Sequence, residues 1–216
     1  MSTILKIVQD ASVFIGIDEP DQLFGSIEQE SRELSILVNR CATLITQDYD
    51  WQALARLAKF TGDGTAEEFE LPDDYGRMNT GAVMKAKGGS TRFTYHSDLN
   101  EWLEIMNGQS FSSGHSWTTY DDKVHMLPAL GVATEARFFY QSKHLVKEPD
   151  GTKKEKFTAD NDEFRLDEEL MRLALVYRYK AFKKMPYAEE EGEFFDRLKA
   201  LQASDQPAKT ITIGGG

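Results

Sequence analysis

The hydrophobic spacing of this sequence changes twice along the chain, and this change constrains the possible folds more than any single motif does. Residues 3–15 and about 26–49 repeat apolar side chains every three or four positions, as amphipathic helices do. From about residue 55 to 140, short aromatic and β-branched runs alternate with turn signals, which is typical of strands. Helical spacing returns at about 167–184 and continues to about 203.

These elements predict an α+β fold: a helical bundle from the N- and C-terminal helices, with an inserted β-rich subdomain and an extended C-terminal tail. Neither pair of helices can bury its apolar stripe alone, so the two terminal pairs are expected to pack together. The bundle is predicted to consist of residues 1–52 and 158–203. Residues 53–157 are predicted to form the inserted subdomain and its linker, and residues 204–216 the tail.

Two local motifs refine the first half of this map. Ser26 and Gln29 fit a capping box, in which each side chain bonds the other's backbone N–H, at the start of the second helix. Gly62-Asp63-Gly64 is too short for a phosphate-binding loop and lacks the following Lys-Ser/Thr. It predicts the turn of a hairpin that spans about residues 55–71.

Two further segments are predicted between the hairpin and the C-terminal helices. Residues 98–106 have the spacing of a short helix, which Asn107-Gly108 would end. Residues 142–165 are rich in charged and turn-forming residues and contain few apolar ones. We expect this second segment to be a polar link.

The charge balance argues against one broad class of function. The chain has 36 acidic and 25 basic residues, which gives a formal net charge of −11. Proteins that grip nucleic acid use Lys and Arg to neutralise phosphates, so an acidic chain is a poor candidate for that role. The same charge is compatible with a protein past which DNA moves without binding.

Cysteine content and hydropathy indicate the environment of the chain. Cys41 is the only cysteine in the sequence, so no intrachain disulfide can form and a reducing compartment is expected. The first ten residues contain charges and no long apolar run, so no signal peptide is expected. No stretch reaches the roughly 18 apolar residues of a membrane span. We therefore expect no membrane partner.

The residue types that bind metals do not occur at metal-binding spacings. The histidines lack both an i, i+4 pair on a predicted helix and a cysteine partner, which argues against a structural zinc site; they are His96, His115, His125 and His144. Asp160-Asn161-Asp162 begins like a calcium loop, but Arg165 and Met171 occupy the positions that need Gly and Glu. We interpret these acids as a capped entry to the helix near Asp167.

No catalytic arrangement emerges from the nucleophiles or the carboxylates, so neither an enzyme nor a cofactor is predicted. Cys41 lies on an apolar helical stripe, where a buried and unreactive thiol is expected. Ser112, Ser113 and His115 are close in sequence but lack a nucleophile-elbow motif. Paired carboxylates are abundant in any acidic chain, and such runs usually form solvated faces.

The C-terminal residues have two possible interpretations. Thr210, Ile211, Thr212 and Ile213 alternate as a strand does, and glycines follow them. They are either a frayed terminus or a free strand that adds to the sheet edge of another protein.

Several segments follow one another in an order that points to a known family. In that order they are Gly16–Pro20, Tyr49 with Trp51, Phe60–Gly64, Phe69–Tyr75 with Arg77, Phe157–Asp162, Leu166–Leu170 and Tyr187–Glu189. This succession resembles the head–tail connector (adaptor) proteins of tailed bacteriophages. The resemblance spans about residues 3–203 and depends on the order of the segments rather than on one motif.

The resemblance implies a virion structural protein without enzymatic activity. Such adaptors form a homo-oligomeric, dodecameric ring beneath the portal protein and connect the capsid to the tail, through nozzle or tail-tube proteins. Genomic DNA passes through the ring without specific binding. The implied location is the head–tail junction of the virion, after synthesis in the bacterial host cytoplasm.

The resemblance also gives the C-terminal tail a role. In several members the tail reaches into the portal assembly, which implies portal binding by Thr210, Ile211, Thr212 and Ile213.

Two alternatives from other functional classes stay open at the level of sequence. The chain could be a tail-associated cell-wall hydrolase that uses two carboxylates of the β-rich region. It could also be a monomeric module that binds a glycan or a protein. Lysis of purified peptidoglycan would favour the first alternative, and a free-standing monomer with a glycan ligand would favour the second.

Overall fold

The N-terminal helices pack with the C-terminal helices, and a β-rich region is inserted between them, so the predicted α+β fold class is confirmed. The structure is a computed structural model that describes residues 2–89, 92–108 and 114–205. The predicted C-terminal tail lies, except for its first residues, outside the described residues.

The described residues form five α-helices, one short 3-10 turn and eleven strands. The helices are α1 (Ile4–Ile15), α2 (Gln29–Thr46), α3 (Leu99–Met106), α4 (Glu168–Phe182) and α5 (Ala188–Asp205), and the 3-10 turn is Gln52–Leu54. The longer strands are β1 (Ala55–Thr61), β3 (Tyr75–Met78), β5 (Arg92–Tyr95), β6 (Ser116–Tyr120), β7 (Lys123–Leu127) and β8 (Glu135–Ser142). The shorter strands are β2 (Glu68–Glu70), β4 (Met84–Ala86), β9 (Val146–Lys147), β10 (Lys153–Lys154) and β11 (Glu163–Phe164).

The chain divides into two compact units, each with its own hydrophobic core. The β unit is Ala55–Lys143, and the helical unit contains the chain before and after it. Residues 144–157, which the sequence analysis assigned to the inserted region and its linker, are part of the helical unit.

Helix α4 is the central element of the helical unit. It contacts α1, α2 and α5, and eight of its residues are buried, including Leu170, Ala174 and Tyr177. A helix that is apolar on several faces must be surrounded by other elements. The N-terminal and C-terminal parts of the chain therefore share one core.

The first turn of α1 is held by the segment that precedes α4. The backbone N–H groups of Ile4 and Leu5 donate to the carbonyl oxygens of Asp162 and Asp160 at 2.7 and 3.2 Å. Oδ1 of Asp160 accepts from the N–H groups of Leu23 and Phe24 at 3.1 and 2.7 Å. The sequence analysis expected these acids to form a capped entry to α4, and this was wrong for Asp160 and Asp162. The cap near Asp167 is confirmed, because the carboxylate of Asp167 accepts from the N–H of Leu170 at 2.8 Å.

The segment expected to be a polar link is folded, and that expectation was wrong: its residues 144–165 are part of the helical unit. Strand β9 pairs antiparallel with both β10 and β11. Val146, Phe157 and Phe164 are almost completely buried in the core of this unit. Three widely spaced apolar residues are enough to anchor the segment, although its composition is polar.

The capping box predicted at Ser26 is also wrong. Helix α2 begins at Gln29 with Glu28 as its N-cap residue, and no side chain bonds this cap. The hydroxyl of Ser26 instead accepts from the N–H of Glu28 at 3.2 Å, before the helix starts. Ser26 therefore orders the turn that precedes the helix rather than the helix itself.

The β unit is a near-closed barrel. Its strands follow the order β1-β8-β4-β5-β6-β7-β2, and β3 also pairs with β8. Most pairs are antiparallel, whereas β5 and β6 are parallel. The interior is rich in aromatic residues, with Trp117 and Phe138 fully buried and their ring centroids 5.2 Å apart.

The predicted hairpin between residues 55 and 71 does not form. Strand β1 pairs with β8, and β2 pairs with β7. The Gly-Asp-Gly segment packs on the turn before β8, because Gly62 N–H donates to the carbonyl of Thr134 and Gly64 N–H to that of Leu130, both at 2.9 Å. A side chain at Gly62 would collide with this turn, which explains the glycine without a hairpin.

The short helix predicted at residues 98–106 is confirmed as α3, with Asp98 as its N-cap residue. The carboxylate of Asp98 accepts from the N–H of Asn100. Among the described helices, none combines the length and the hydrophobicity that crossing a bilayer requires.

Candidate functional site

The residues that the resemblance assigned to portal binding belong to the C-terminal tail. Thr210, Ile211, Thr212 and Ile213 lie outside the described residues. Ser112 and Ser113, which the sequence analysis considered as nucleophiles, also lie outside them.

The histidines take part in separate local contacts. His96 is buried, with Nε2 3.1 Å from Oγ of Ser116 and Nδ1 3.2 Å from a carboxylate oxygen of Glu101. His125 stacks on Tyr120, with ring centroids 3.6 Å apart. Within the part of the chain that the structure describes, no three His, Cys, Asp or Glu side chains converge on a possible metal position.

Two carboxylates of the β unit, Asp74 and Glu68, are engaged in structural contacts. Asp74 accepts from the hydroxyls of Tyr140 and Ser142 at 2.5 and 2.8 Å. Burial of Tyr140, together with this hydrogen bond to Asp74, raises the pKa of the Tyr140 hydroxyl. Glu68 accepts from Lys123 at 3.1 Å, and this contact lowers the pKa of Glu68.

The clearest candidate for an interaction site is a groove on the outer face of the barrel. It has an open volume of about 590 Å³ and is lined by β1, β8, β4 and the segment that leads into β4. Leu57 of β1 lies directly opposite Phe139 of β8, and these side chains are 38% and 57% exposed. We call this feature the β1–β8–β4 groove.

A row of cations crosses the same face of the sheet. Arg137 of β8 is paired with Lys59 of β1 on one side and with Lys85 of β4 on the other. Neighbouring positions along a strand alternate between faces, so residues 137 and 139 share a face, as do 57 and 59. The apolar pair and the cations therefore form one continuous surface.

Glu135, an acidic residue on this face, is paired with cations. Glu135 contacts the guanidinium of Arg137, which lowers the pKa of Glu135, and it lies 4.0 Å from Nζ of Lys87. Lys59 and Lys85 are exposed, and no carboxylate of the described residues lies within 4.0 Å of either ammonium group. The groove is thus locally basic in a chain with a net charge of −11.

The helical unit has an open groove of its own along α2. It has a volume of about 750 Å³ and includes the exposed side chain of Ile36 and the cations Arg40, Lys156 and Arg178. Ile36 also borders a smaller cavity of about 150 Å³ beside Phe182, which is 58% exposed. Each unit therefore presents apolar and basic side chains together.

The sequence analysis missed the β1–β8–β4 groove. Its signal is present in the alternation of β1 and β8, where Leu57 and Lys59 fall on one face and Ala58 and Phe60 on the other. Reading that signal requires knowing that β1 pairs with β8, and the expected hairpin paired β1 with the wrong strand.

No protein-family model and no curated protein matches this chain.

Proposed function

We propose that this chain is a virion structural protein, the head-to-tail adaptor of a tailed bacteriophage. In this role, copies form a homo-oligomeric ring beneath the portal protein, connect the capsid to nozzle or tail-tube proteins, and surround the conduit for genomic DNA. The ring would be located at the head–tail junction of the virion, after synthesis in the bacterial host cytoplasm.

One architectural observation carries this proposal. Helices from both ends of the chain share the core around α4, while the middle of the chain builds a separate core as a near-closed barrel. Such a division gives a connecting protein two separate surfaces with which to hold two different partners. The order of the sequence segments that resemble phage adaptors supports the same role.

The surfaces of the two units also support a connecting role. Aromatic residues and Arg are enriched at protein–protein interfaces, whereas Lys is depleted. Phe139 with Arg137 in the β unit and Phe182 with Arg40 in the helical unit have this composition, because each pair lines one cavity and both phenylalanines are exposed.

The net charge is consistent with passage of DNA. At a net charge of −11, the chain as a whole repels phosphates. This repulsion acts over a Debye length of about 8 Å at physiological salt, so it matters only where the chain comes close to DNA.

Electron microscopy of the chain mixed with its cognate portal protein tests the proposal. We expect ring-shaped density bound to one end of the portal. A mixture in which portal and chain migrate separately, at every concentration and salt tested, would overturn the proposed function.

The same experiment with a truncated chain tests the role of the C-terminal tail. Because Oδ2 of Asp205 accepts from the backbone N–H of Gln52 at 2.9 Å, a truncation should keep residue 205 and remove residues 206–216. We propose that the truncated chain folds normally and binds the portal more weakly, because it has lost the segment in which Thr and Ile alternate. Portal binding equal to that of the full chain would refute the role of the tail.

A further inference from the structure

Three cations from distant parts of the chain converge on the open groove along α2, which we call the α2 groove. Arg40 lies on α2, Lys156 lies between β10 and β11, and Arg178 lies on α4. Among the described residues, no Asp or Glu lines this groove. The chain has 36 acidic and 25 basic residues, so its composition alone does not explain a groove with cations and no acids.

The two guanidinium groups of the α2 groove have no carboxylate partner. Within the part of the chain that the structure describes, neither Arg40 nor Arg178 forms an ion pair. Arg178 is half-buried, and its Nη1 donates one hydrogen bond, to the hydroxyl of Tyr177 at 3.1 Å. A guanidinium carries five N–H donors, so most of the donors of Arg178 are left for a ligand.

Both guanidinium groups are close to the same buried thiol. Burial raises the pKa of the Cys41 thiol, and the charges of Arg178 and Arg40 oppose this rise. Coulombic effects fall off with distance, so the two cations, which lie on α4 and α2, are held near one another. Like charges held in this way repel, and an anion bound between them would relieve the repulsion.

Lys156 adds a third positive charge that is only weakly paired. Its Nζ atom lies 3.9 Å from Oε1 of Glu155, and the two side chains are 69% and 53% exposed. Exposed ion pairs of this kind contribute little. The ammonium group is therefore available to a ligand in the groove.

The α2 groove also presents apolar side chains. Ile36 lines it and is 63% exposed, and the partly buried side chains of Phe24 and Leu44 lie in its wall. A ligand that fills this groove meets cations and hydrocarbon together.

We propose that the α2 groove binds an acidic segment of a partner protein, with carboxylates on Arg40 and Arg178 and an apolar side chain on Ile36. Arg binds carboxylates through two parallel N–H donors, and Arg clusters are a recurring means of recognising acidic peptides. The inference deepens the proposed function, on which it rests for the identity of the partner as another virion protein. The site itself is argued from the residues that line the groove.

Two observations favour a protein ligand over nucleic acid. Phosphates would bind the cations alone and would leave Ile36 exposed in the complex. Duplex DNA carries one negative charge per about 1.7 Å along its axis, so it is repelled by a chain with a net charge of −11 more than a short acidic segment is.

The test uses the full chain and two charge-matched double variants. The groove variant is Arg40→Gln with Arg178→Gln. The control is Arg32→Gln with Lys199→Gln, which removes the same charge from two exposed residues outside the groove. Thermal melting checks that both are folded. Arg40→Gln alone is a further variant that is expected to fold, because Arg40 is exposed.

The probe is a fluorescently labelled peptide in which Glu and Leu alternate, and binding is measured by fluorescence anisotropy at low salt. We expect the unchanged chain and the control to bind it alike, the groove variant at least about tenfold more weakly, and Arg40→Gln about threefold more weakly. A peptide with Gln in place of Glu should bind the unchanged chain at least about tenfold more weakly than the Glu-Leu peptide does.

The apolar part of the site is tested with Ile36→Ser. This change should weaken binding of the Glu-Leu peptide by about fivefold, because one apolar contact is lost. It should leave the weaker binding of a peptide in which Glu and Ser alternate unchanged. Equal effects of Ile36→Ser on both peptides would contradict the contact with Ile36.

Several results would overturn the inference. They are a chain that binds no Glu-Leu peptide, a groove variant that binds as the control does, and a Gln-Leu peptide that binds as well as the acidic one. Duplex DNA that binds more tightly than the peptide, and is lost in the groove variant, would assign the groove to phosphates. Self-association of the chain that is lost in the groove variant would assign it to a second copy.

The outcome for the α2 groove can be separated from that for the proposed function. Rings of the chain on the portal, together with a failure to bind the acidic peptide, would refute this site and leave the adaptor role intact. Peptide binding that depends on Arg40 and Arg178, in a chain that ignores the portal, would do the reverse.

Discussion

The ammonium group of Lys154 lies 2.8 Å from Oδ1 of Asp162, a carboxylate that is only 1% exposed. The other oxygen of Asp162 accepts from the N–H groups of Thr158 and Ala159 at 2.8 and 2.9 Å. Burial opposes the charge of Lys154, but its ion pairs with Asp162 and Glu148 leave its pKa above the ordinary value. The ion pair therefore stabilises the segment whose carbonyl oxygens accept hydrogen bonds from the first turn of α1.

Lys154→Met should destabilise the helical unit strongly. The change leaves Oδ1 of Asp162 buried without its cation, and breaking a buried pair in this way costs about 3 kcal/mol. Urea denaturation followed by circular dichroism measures the free energy of unfolding. Lys156→Met is the matched control, because the Lys156 side chain is 69% exposed. Equal stability of the two variants would show that the Lys154–Asp162 pair is not structural.

Gly62→Ala should destabilise the β unit. A Cβ atom at this position would lie 2.4 Å from both Cβ and the carbonyl oxygen of Leu130. Backbone atoms cannot move aside as a flexible side chain can, so we expect a loss of about 3 kcal/mol in the free energy of unfolding. In Gly114→Ala the new Cβ would meet no atom of the described residues within 4 Å, and this variant should match the unchanged chain. A native-like melting temperature for Gly62→Ala would disprove the close packing on Leu130.

The helices could be predicted from the sequence because their signal is local. The apolar stripe of α2 runs through Leu34, Val38 and Ile45, and the spacing of these residues depends only on the helix itself. The inference that the terminal helices share a core followed from the same spacing. The start of α2 was misjudged because Ser26 bonds a backbone N–H either as a cap or as part of a turn.

The pairing of the strands could not be predicted in the same way. The alternation of β1 is satisfied equally by a hairpin partner and by β8, and the choice is made by contacts with residues far along the chain. Strands β9, β10 and β11 have two residues each, which is too short for any period. The β1–β8–β4 groove depends on this pairing, so the alternation of β1 and β8 was not enough to predict it from the sequence.

Cys41 should be unreactive in the folded protein. Its side chain is 1% exposed on α2, and burial raises the pKa of its thiol to about 12. Because the thiolate is the reactive form, a disulfide reagent at pH 8 should modify Cys41 only after unfolding. The rate is measured by absorbance of the released thiolate, with protein in denaturant as the reference for full reactivity. Rapid reaction of the native protein would mean that α2 opens readily.

The contact between Lys180 and Glu190 should make part of the stability dependent on acid pH. The hydrogen bond from Lys180 lowers the pKa of Glu190 below its ordinary value of 4.5. A carboxyl group with a depressed pKa stabilises the fold above its ordinary pKa, and this contribution is lost as the pH falls through the depressed value. We therefore expect the link between α4 and α5 to weaken below about pH 4.5.

Titration of Glu190 by NMR checks this prediction directly. In Lys180→Met, the pKa of Glu190 should return toward 4.5, and the acid-dependent part of the stability should shrink. Lys199→Met is a suitable control, because Lys199 lies exposed on the same helix α5 and makes no contact with Glu190 among the described residues. If both variants left the titration of Glu190 unchanged, the contact with Lys180 would not exist in solution.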